Sequence, residues 1–190
     1  EQFREAYEYI LIDCMPNGGT AQINAMLSAD ELVIPTQAEV FSAVGLAQLS
    51  RHIALIQKNT GHSLKTAGVL ITMYDRRTSL NKEVCGMLEE YRDIPLFRTR
   101  IPRSVKVGEA ALYGQTICEY APSHPAALAY ESLTKILKAV DIVIPSLAQI
   151  AAISAFTSES MRDIMLVSIL SSPCTTIIVQ SQTYFFNPQN

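Results

Sequence analysis

The 190-residue chain contains no tryptophan, only three histidines, and charged side chains at only 17% of its positions. It has four cysteines, none of which forms a Cys-x-x-Cys pair or follows the spacing of a zinc finger. This pattern does not predict a metal-finger domain or a disulfide framework. Because 48% of the residues are hydrophobic, the composition excludes a disordered chain and indicates a globular protein.

A phosphate-binding loop of the form GxxxxGK[ST] is also absent from the sequence. The glycine pair in Asn17-Gly18-Gly19 could cradle a phosphate, but the same residues make an ordinary turn. The 15 basic and 18 acidic side chains leave a net charge of −3. Any affinity for nucleic acid or membrane therefore has to come from a local patch.

The charges are unevenly distributed along the chain. Residues 1–140 hold 29 of the 33 charged side chains, and residues 141–190 hold the other four. We therefore treat 1–140 as a domain and 141–190 as a tail of unknown structure, in which 164–170 and 175–180 are candidate short strands or helix pieces. The apolar stretch at 142–156 contains Pro145 and is too short to span a bilayer, so no membrane partner is expected.

Within the first 140 residues, short apolar runs alternate with stretches of helical periodicity. The runs lie at 9–13, 32–35, 67–73 and 95–101, and the helical stretches at 21–29, 42–58, 80–91 and 126–140. This alternation predicts βαβ units and a parallel sheet. Since uninterrupted apolar strands are typical of a sheet covered on both faces, the expected fold class is α/β, a doubly wound, mostly parallel sheet flanked by helices.

Asp13 ends the first apolar run, Tyr9-Ile10-Leu11-Ile12. In an open parallel sheet, ligands bind beyond the carboxyl ends of the strands. A carboxylate at such a position suits magnesium, which prefers oxygen ligands and keeps several of its waters. The alternative is that Asp13 caps the following turn or helix.

A second feature is a basic stretch between residues 76 and 106. It holds eight basic and four acidic side chains, a local net charge of +4. Such a surface on an acidic protein fits sequence-independent binding of nucleic-acid phosphates. The alternative is a solvated face of mixed charge.

Other reactive side chains give weaker signals. Cys14 beside Asp13 is either a nucleophile without an apparent activating partner or a small buried side chain. His52, His62 and His124 are far apart in the sequence and predict no ligand cluster.

Several motifs, in order along the chain, resemble the ParA-type (Soj-like) partition ATPases, a deviant Walker A family of P-loop NTPases. The match runs over about residues 5–139. The first motif, Tyr7-Glu8-Tyr9-Ile10-Leu11-Ile12-Asp13-Cys14-Met15-Pro16, is similar to the Walker B strand and the switch that follows it. The other main motifs are Ile34-Pro35-x-Gln37-x-Glu39-x-Phe41, Thr72-Met73-Tyr74-Asp75-x-Arg77-Thr78 and Ile101-Pro102-Arg103-x-Val105-Lys106.

The resemblance implies a P-loop NTPase-like fold and an ATP hydrolase that segregates plasmids or chromosomes. Family members use ATP and magnesium, form a homodimer, bind DNA without sequence preference, and respond to a centromere-binding (ParB-type) protein. The implied location is the cytoplasm, in association with the nucleoid. The alternatives are a truncated, non-enzymatic DNA-binding or dimerisation module, and a related MinD-like ATPase.

The resemblance also implies roles for particular residues. Asp13 would be the catalytic-site carboxylate that holds magnesium through water, and the segment containing Pro16 and Gly19 would be the switch that senses the γ-phosphate. Asp75, Pro102 and Arg103 would lie near the adenine. The implied DNA contacts are Arg77, Arg103 and Lys106.

The sequence departs from the family pattern in two respects. Met15 replaces a common proline, and Gly18 stands where a larger apolar residue is usual, so a looser switch is expected. The family's phosphate loop precedes the Walker B strand, and this chain begins at Glu1 without it. We therefore expect a cut N-terminus, negligible ATP binding by this chain alone, and an exposed strand edge where central strands are missing. The tail either covers that surface or is unrelated sequence joined to the domain.

Overall fold

The computed structural model describes residues 9–14, 19–91, 94–139 and 175–180. Five strands lie in this part of the chain: β1 (Tyr9–Cys14), β2 (Glu31–Gln37), β3 (Lys65–Tyr74), β4 (Leu96–Pro102) and β5 (Thr175–Gln180). The helices described are α1 (Thr20–Ser28), α2 (Ser42–Thr60), α3 (Ser79–Glu90), α4 (Val105–Leu112), α5 (Ile117–Tyr120) and α6 (Pro125–Ala139).

All strand pairs described are parallel, and the strands form one sheet in the order β1-β5-β2-β3-β4. Strand β2 is buried along most of its length, which explains why its sequence reads as a continuous apolar run rather than an alternating one. The prediction of an α/β, mostly parallel sheet is confirmed.

The core is divided between the two faces of the sheet. On one face, α1, α2 and α3 pack against alternate strand residues such as Ile34 and Ile71. On the other face, α5 and α6 pack against Val33, Leu70 and Phe97. Helices on both faces make the sheet doubly wound, as the apolar strands indicate.

The eight elements predicted within residues 1–140 are all present, with ends that differ by a few residues. Helices α4 and α5 were not predicted, because eight and four residues are too few to show helical periodicity. Their caps did carry a signal. The Ser104 side chain accepts a hydrogen bond from the Lys106 backbone N–H, and Thr116 and Glu119 form a capping box, a pattern readable from sequence.

The largest difference from expectation concerns the tail. Residues 175–180 form β5, which lies between β1 and β2 near the centre of the sheet. There β5 pairs with all six residues of β1 and with the first three residues of β2, so the edge that was expected to be exposed is paired at these positions. For these six residues, the alternative in which the tail covers the domain is favoured. The other candidate tail element, 164–170, lies outside the described residues.

Candidate functional site

The candidate site follows the edge of the sheet at which the parallel strands end. Asp13 lies near the end of β1, Asp75 directly follows β3, and Arg103 directly follows β4. Neighbouring strands lie about 4.8 Å apart, so the three intervals from β1 to β3 place Asp13 and Asp75 roughly 14 Å apart along this edge. The residues that the sequence assigned to magnesium and to adenine therefore share one edge but lie at different parts of it.

The ends of β3 and β4 border an open cleft of about 970 Å³. We call it the β3–β4 cleft. It contains the predicted residues Asp75, Arg77, Pro102 and Arg103 together. The remaining lining residues are Tyr74, Arg76, Lys82, Arg98, Arg100, Pro125 and Ala129. Six of the eleven lining side chains are basic and one is acidic, so the cleft is suited to an anionic ligand.

Most of these cations have no counter-ion among the residues that the structure describes. Among the described residues, Arg100 is the only basic side chain of the cleft with a carboxylate partner, since its Nη2 lies 2.6 Å from Oε1 of Glu89. The same guanidinium donates to the Tyr74 hydroxyl at 3.2 Å and lies 4.9 Å from the centre of the Tyr74 ring. The Arg100 guanidinium thus has its partners within the protein, and the other five cations remain available to a ligand.

Asp75 organises the loop between β3 and α3. Its Oδ1 accepts a hydrogen bond from the Arg77 backbone N–H at 2.9 Å, and its own backbone N–H donates to Oδ1 of Asn81 at 2.8 Å. Asn81 in turn donates to the Ala38 carbonyl at 3.0 Å, next to the end of β2. These bonds fix where the Arg76–Arg77 turn lies. The lone acid of the cleft therefore has a structural role that does not depend on a ligand.

Lys106 is not among the residues that line the cleft. Its Nζ lies 2.6 Å from Oε2 of Glu109, and the Tyr120 hydroxyl donates to the same oxygen at 2.9 Å. The hydrogen bond to Glu109 raises the pKa of Lys106, and the hydrogen bonds from Lys106 and Tyr120 lower the pKa of Glu109. The three predicted DNA contacts are thus divided, since Arg77 and Arg103 share the cleft and Lys106 belongs to an ion pair on α4.

At the β1 end, the Asp13 side chain is exposed and its neighbour Cys14 is buried. Loss of solvation raises the pKa of the Asp13 carboxyl, and a hydrogen bond from the Cys14 backbone N–H opposes this with a smaller lowering. Burial, followed by the charge of Asp13, raises the pKa of the Cys14 thiol to about 11. Because the thiolate is the nucleophile, these observations favour the interpretation of Cys14 as a small buried side chain.

One exposed carboxylate fits a magnesium ion that keeps most of its waters. No cluster of three or more His, Cys, Asp or Glu side chains occurs in the part of the chain that the structure describes, so a closed metal cage is not built from these residues. Of the two predicted switch residues, Gly19 is the exposed N-cap of α1 in an extended conformation. Pro16 lies outside the described residues.

His124 illustrates a polar contact that the sequence did not reveal. Its Nδ1 accepts a hydrogen bond from the Ala126 backbone N–H at 3.1 Å, so in the neutral ring Nε2 carries the proton and donates to Oγ of Ser104 at 3.3 Å. A histidine that donates to the hydroxyl cannot act as its base. The pair therefore joins the start of α4 to the start of α6 rather than forming a nucleophile.

Known proteins are similar to this chain over most of the described sequence. A family model described as an AAA domain matches residues 1–66. The sporulation initiation inhibitor protein Soj of Bacillus subtilis is 38% identical over 135 residues, which are 71% of this chain and 53% of Soj. The chromosome partitioning protein ParA of Caulobacter vibrioides is 36% identical over 129 residues, 68% of this chain and 48% of ParA. The chain belongs to the ParA-type, Soj-like ATPase family.

This membership confirms the family resemblance read from the motifs. The chain spans about half the length of the curated relatives it matches. Among solved structures, cobyrinic acid a,c-diamide synthase from Mycobacterium smegmatis with bound ADP and magnesium has a TM-score of 0.47 and 25% identity, over 60% of this chain and 39% of that chain. Among the described residues of this ParA-type chain, no helix has the length and apolar character needed to cross a membrane.

Proposed function

We propose that this chain is the C-terminal part of an ATP-dependent DNA partition ATPase, and that it contacts DNA without sequence preference through the β3–β4 cleft. The observation that carries the DNA contact is the group of five basic side chains that line one cleft without a carboxylate partner in the described part of the chain. Confining like charges in one place is unfavourable, and a phosphate backbone would neutralise them while releasing its own counter-ions.

The proposed roles of individual side chains follow from their places. Arg77 and Arg103 present guanidinium groups at the ends of β3 and β4, where each can bind a phosphate through two donors. Lys106 is a secondary contact, because a phosphate would have to compete with Glu109 for its ammonium group. A backbone-directed set of this kind positions DNA without reading its bases.

In the proposed enzyme, Asp13 holds magnesium through water and Asp75, Pro102 and Arg103 border the adenine. Bound magnesium would neutralise charge on the phosphates during their transfer. The chain's own contribution at Asp13 is an oriented carboxylate at the end of a strand, and its contribution at Asp75 is a loop held by backbone hydrogen bonds. The homodimer, the ParB-type partner and the cytoplasmic, nucleoid-associated location belong to the same proposal.

The test of the DNA contact compares Arg77→Ala and Arg103→Ala with Arg51→Ala. Arg51 is an exposed arginine on α2 outside the cleft, and it serves as a charge-matched control. At about 0.1 M salt we expect each cleft variant to weaken DNA binding about 3- to 10-fold on two unrelated duplexes and to reduce the salt slope by about one. Binding is measured by fluorescence anisotropy over a salt series.

The control variant should bind both duplexes nearly as the unmodified chain does. A loss restricted to one duplex would contradict backbone-directed binding. An equal loss for Arg51→Ala would show that net charge, rather than the cleft, determines affinity. Lys106→Ala should give a smaller loss than Arg77→Ala because its charge is already partly neutralised.

A further inference from the structure

The end of α4 carries an aromatic pair that the proposed function does not use. The rings of Tyr113 and Tyr120 are stacked, with their centroids 5.6 Å apart and an angle of 16° between their planes. Tyr113 nevertheless keeps 70% of its surface exposed, so the ring face turned away from Tyr120 is open to solvent. A face of this kind can accept a further planar ring at stacking distance.

Hydrogen bonds within the protein hold this pair in position. The Tyr113 backbone N–H donates to the Ala110 carbonyl at 3.1 Å at the end of α4. The Tyr120 hydroxyl donates to Oε2 of Glu109 at 2.9 Å, and the capping box at 116–119 fixes the start of α5. Tyr120 is thus a fixed support for the Tyr113 ring. A pair that is positioned beforehand loses less conformational entropy on binding than mobile side chains would.

The aromatic pair adjoins the β3–β4 cleft. Helix α4 begins two residues after Arg103, which lines the cleft. Lys106, Glu109 and Tyr113 are spaced three and four residues apart, so they share one face of α4. Nζ of Lys106 lies 5.7 Å from the centre of the Tyr120 ring. At a rise of about 1.5 Å per residue, Tyr113 lies roughly 10 Å from Lys106 along the helix. A strand bound in the cleft can therefore extend past Lys106 to the aromatic pair.

The charge on this path does not oppose an anionic strand strongly. Glu109 is an acid on the same face of α4, but its Oε2 lies 2.6 Å from Nζ of Lys106. The pair is therefore close to neutral as a unit, and the positive charge of the surface comes from the cleft. The aromatic pair supplies apolar contact area, and the cleft supplies the attraction for phosphates.

A positively charged groove beside an exposed aromatic ring is typical of proteins that bind single-stranded nucleic acid. The phosphates contact the cations, and the bases stack on the ring with little regard to sequence. In a duplex the faces of the bases are covered by their neighbours, so only an unpaired base can stack on Tyr113. The cleft alone does not distinguish a duplex from a single strand, whereas the cleft and the aromatic pair together do.

We propose that Tyr113 and Tyr120 form a stacking platform for an unpaired nucleobase, and that the chain binds single-stranded DNA across this platform and the β3–β4 cleft. The open face of Tyr113 contacts the base, and Tyr120 supports the ring from the other side. The inference rests on the proposed function for the phosphate contacts in the cleft, and it adds a preference for unpaired bases to that function.

The test measures the affinity of the whole chain for three ligands by fluorescence anisotropy. They are an oligothymidylate of about 12 nucleotides, a strand of the same length and charge whose sugars carry no bases, and a duplex. The unmodified chain should bind the oligothymidylate at least about fivefold more tightly than the base-free strand. Tyr113→Ala should weaken binding of the oligothymidylate about 5- to 20-fold and change binding of the other two ligands by less than about twofold.

Two control variants separate the ring from its surroundings. Tyr113→Phe keeps the ring and should retain the affinity for the oligothymidylate. Leu112→Ala removes a neighbouring side chain that is 85% exposed and not aromatic, and it should bind all three ligands as the unmodified chain does. An equal loss for Leu112→Ala and Tyr113→Ala would overturn the platform. Equal losses on all three ligands for Tyr113→Ala would do the same, because the ring would then act through the fold.

Failure of the inference and failure of the proposed function give different results. If the chain binds the base-free strand as tightly as the oligothymidylate and Arg77→Ala weakens both, the cleft binds phosphates without a platform. That result overturns the inference alone. If the unmodified chain binds none of the three ligands, the proposed DNA contact and the platform fail together.

Discussion

The two ends of the sheet's carboxyl edge differ in charge and in how they are held. At the β3–β4 end, six basic side chains and one acid line the cleft, and the two strands whose ends border it are neighbours in both sequence and space. At the β1 end, the exposed acid Asp13 adjoins a buried thiol, and the strand is joined to the sheet through β5 alone among the described strands. The basic end is thus built from strands that are adjacent in the sequence, whereas the position of Asp13 depends on a distant segment.

Gly68→Ala should have the largest effect, because it disturbs the contact between β3 and the start of β4, the two strands whose carboxyl ends border the cleft. Gly68 lies in β3 with φ +154°, and an added Cβ would lie 2.9 Å from the Pro95 carbonyl oxygen and 3.0 Å from the Phe97 ring. Backbone strain together with overpacking should lower the free energy of unfolding by about 2–4 kcal/mol. Chemical denaturation measures this change.

The control for that substitution is Gly108→Ala, in the exposed interior of α4, where an added Cβ meets nothing within 4 Å. Alanine should stabilise this helix by about 0.5–1 kcal/mol relative to glycine. Equal effects of the two substitutions would show that the approach of β3 to Pro95 and Phe97 is not tight.

Glu31→Gln tests the boundary at which β2 meets β5. Glu31 is buried, and its Oε2 has no hydrogen-bond partner among the described residues. Burial raises the pKa of its carboxyl. The positive charge of Lys65 lowers this pKa by a smaller amount, and the negative charge of Asp30 raises it by a smaller amount. A raised folded-state pKa means that the stabilising contribution of Glu31 is present at low pH and is lost as the pH rises through that pKa.

The glutamine variant should therefore be more stable than the unmodified chain near pH 7, by about 1 kcal/mol, and equal to it near pH 4. Thermal unfolding over this pH range provides the measurement. Glu39→Gln, at an exposed position, should not reproduce the effect. A variant less stable at pH 7 would indicate that the Glu31 carboxylate has a favourable role at this boundary.

Glu89→Gln should have the smallest effect and sharpens the description of the cleft. The Arg100–Glu89 pair is partly exposed, so its loss should cost less than about 0.5 kcal/mol of stability. Freed from its carboxylate, Arg100 should become available to phosphates and raise DNA affinity about two- to threefold. Anisotropy titrations with the same duplexes detect this gain, and reduced affinity would mean that Glu89 orients Arg100 for the ligand.

Local sequence was sufficient to predict much of the fold and part of the site. The periodicity at 42–58 and 126–140 predicted α2 and α6 because long amphipathic helices repeat their apolar face several times. The family resemblance grouped Asp75 with Pro102 and Arg103, and these residues line one cleft because adjacent parallel strands bring their ends together. Lys106 could not be separated from the other implied DNA contacts, Arg77 and Arg103, by spacing, because its pairing with Glu109 depends on side-chain contacts within α4.

The sequence by itself determined the alternation of strands and helices, the acid at the end of the first strand, and the concentration of basic residues between 76 and 106. Only the tertiary structure decided that β5 enters between β1 and β2, that five of the six cleft cations lack carboxylate partners among the described residues, and that Glu31 is buried without full hydrogen bonding. The physical reason is distance along the chain. Periodicity and capping are written into neighbouring residues, whereas pairing Asp13 with Val179 depends on which backbone edges remain open once the helices have packed.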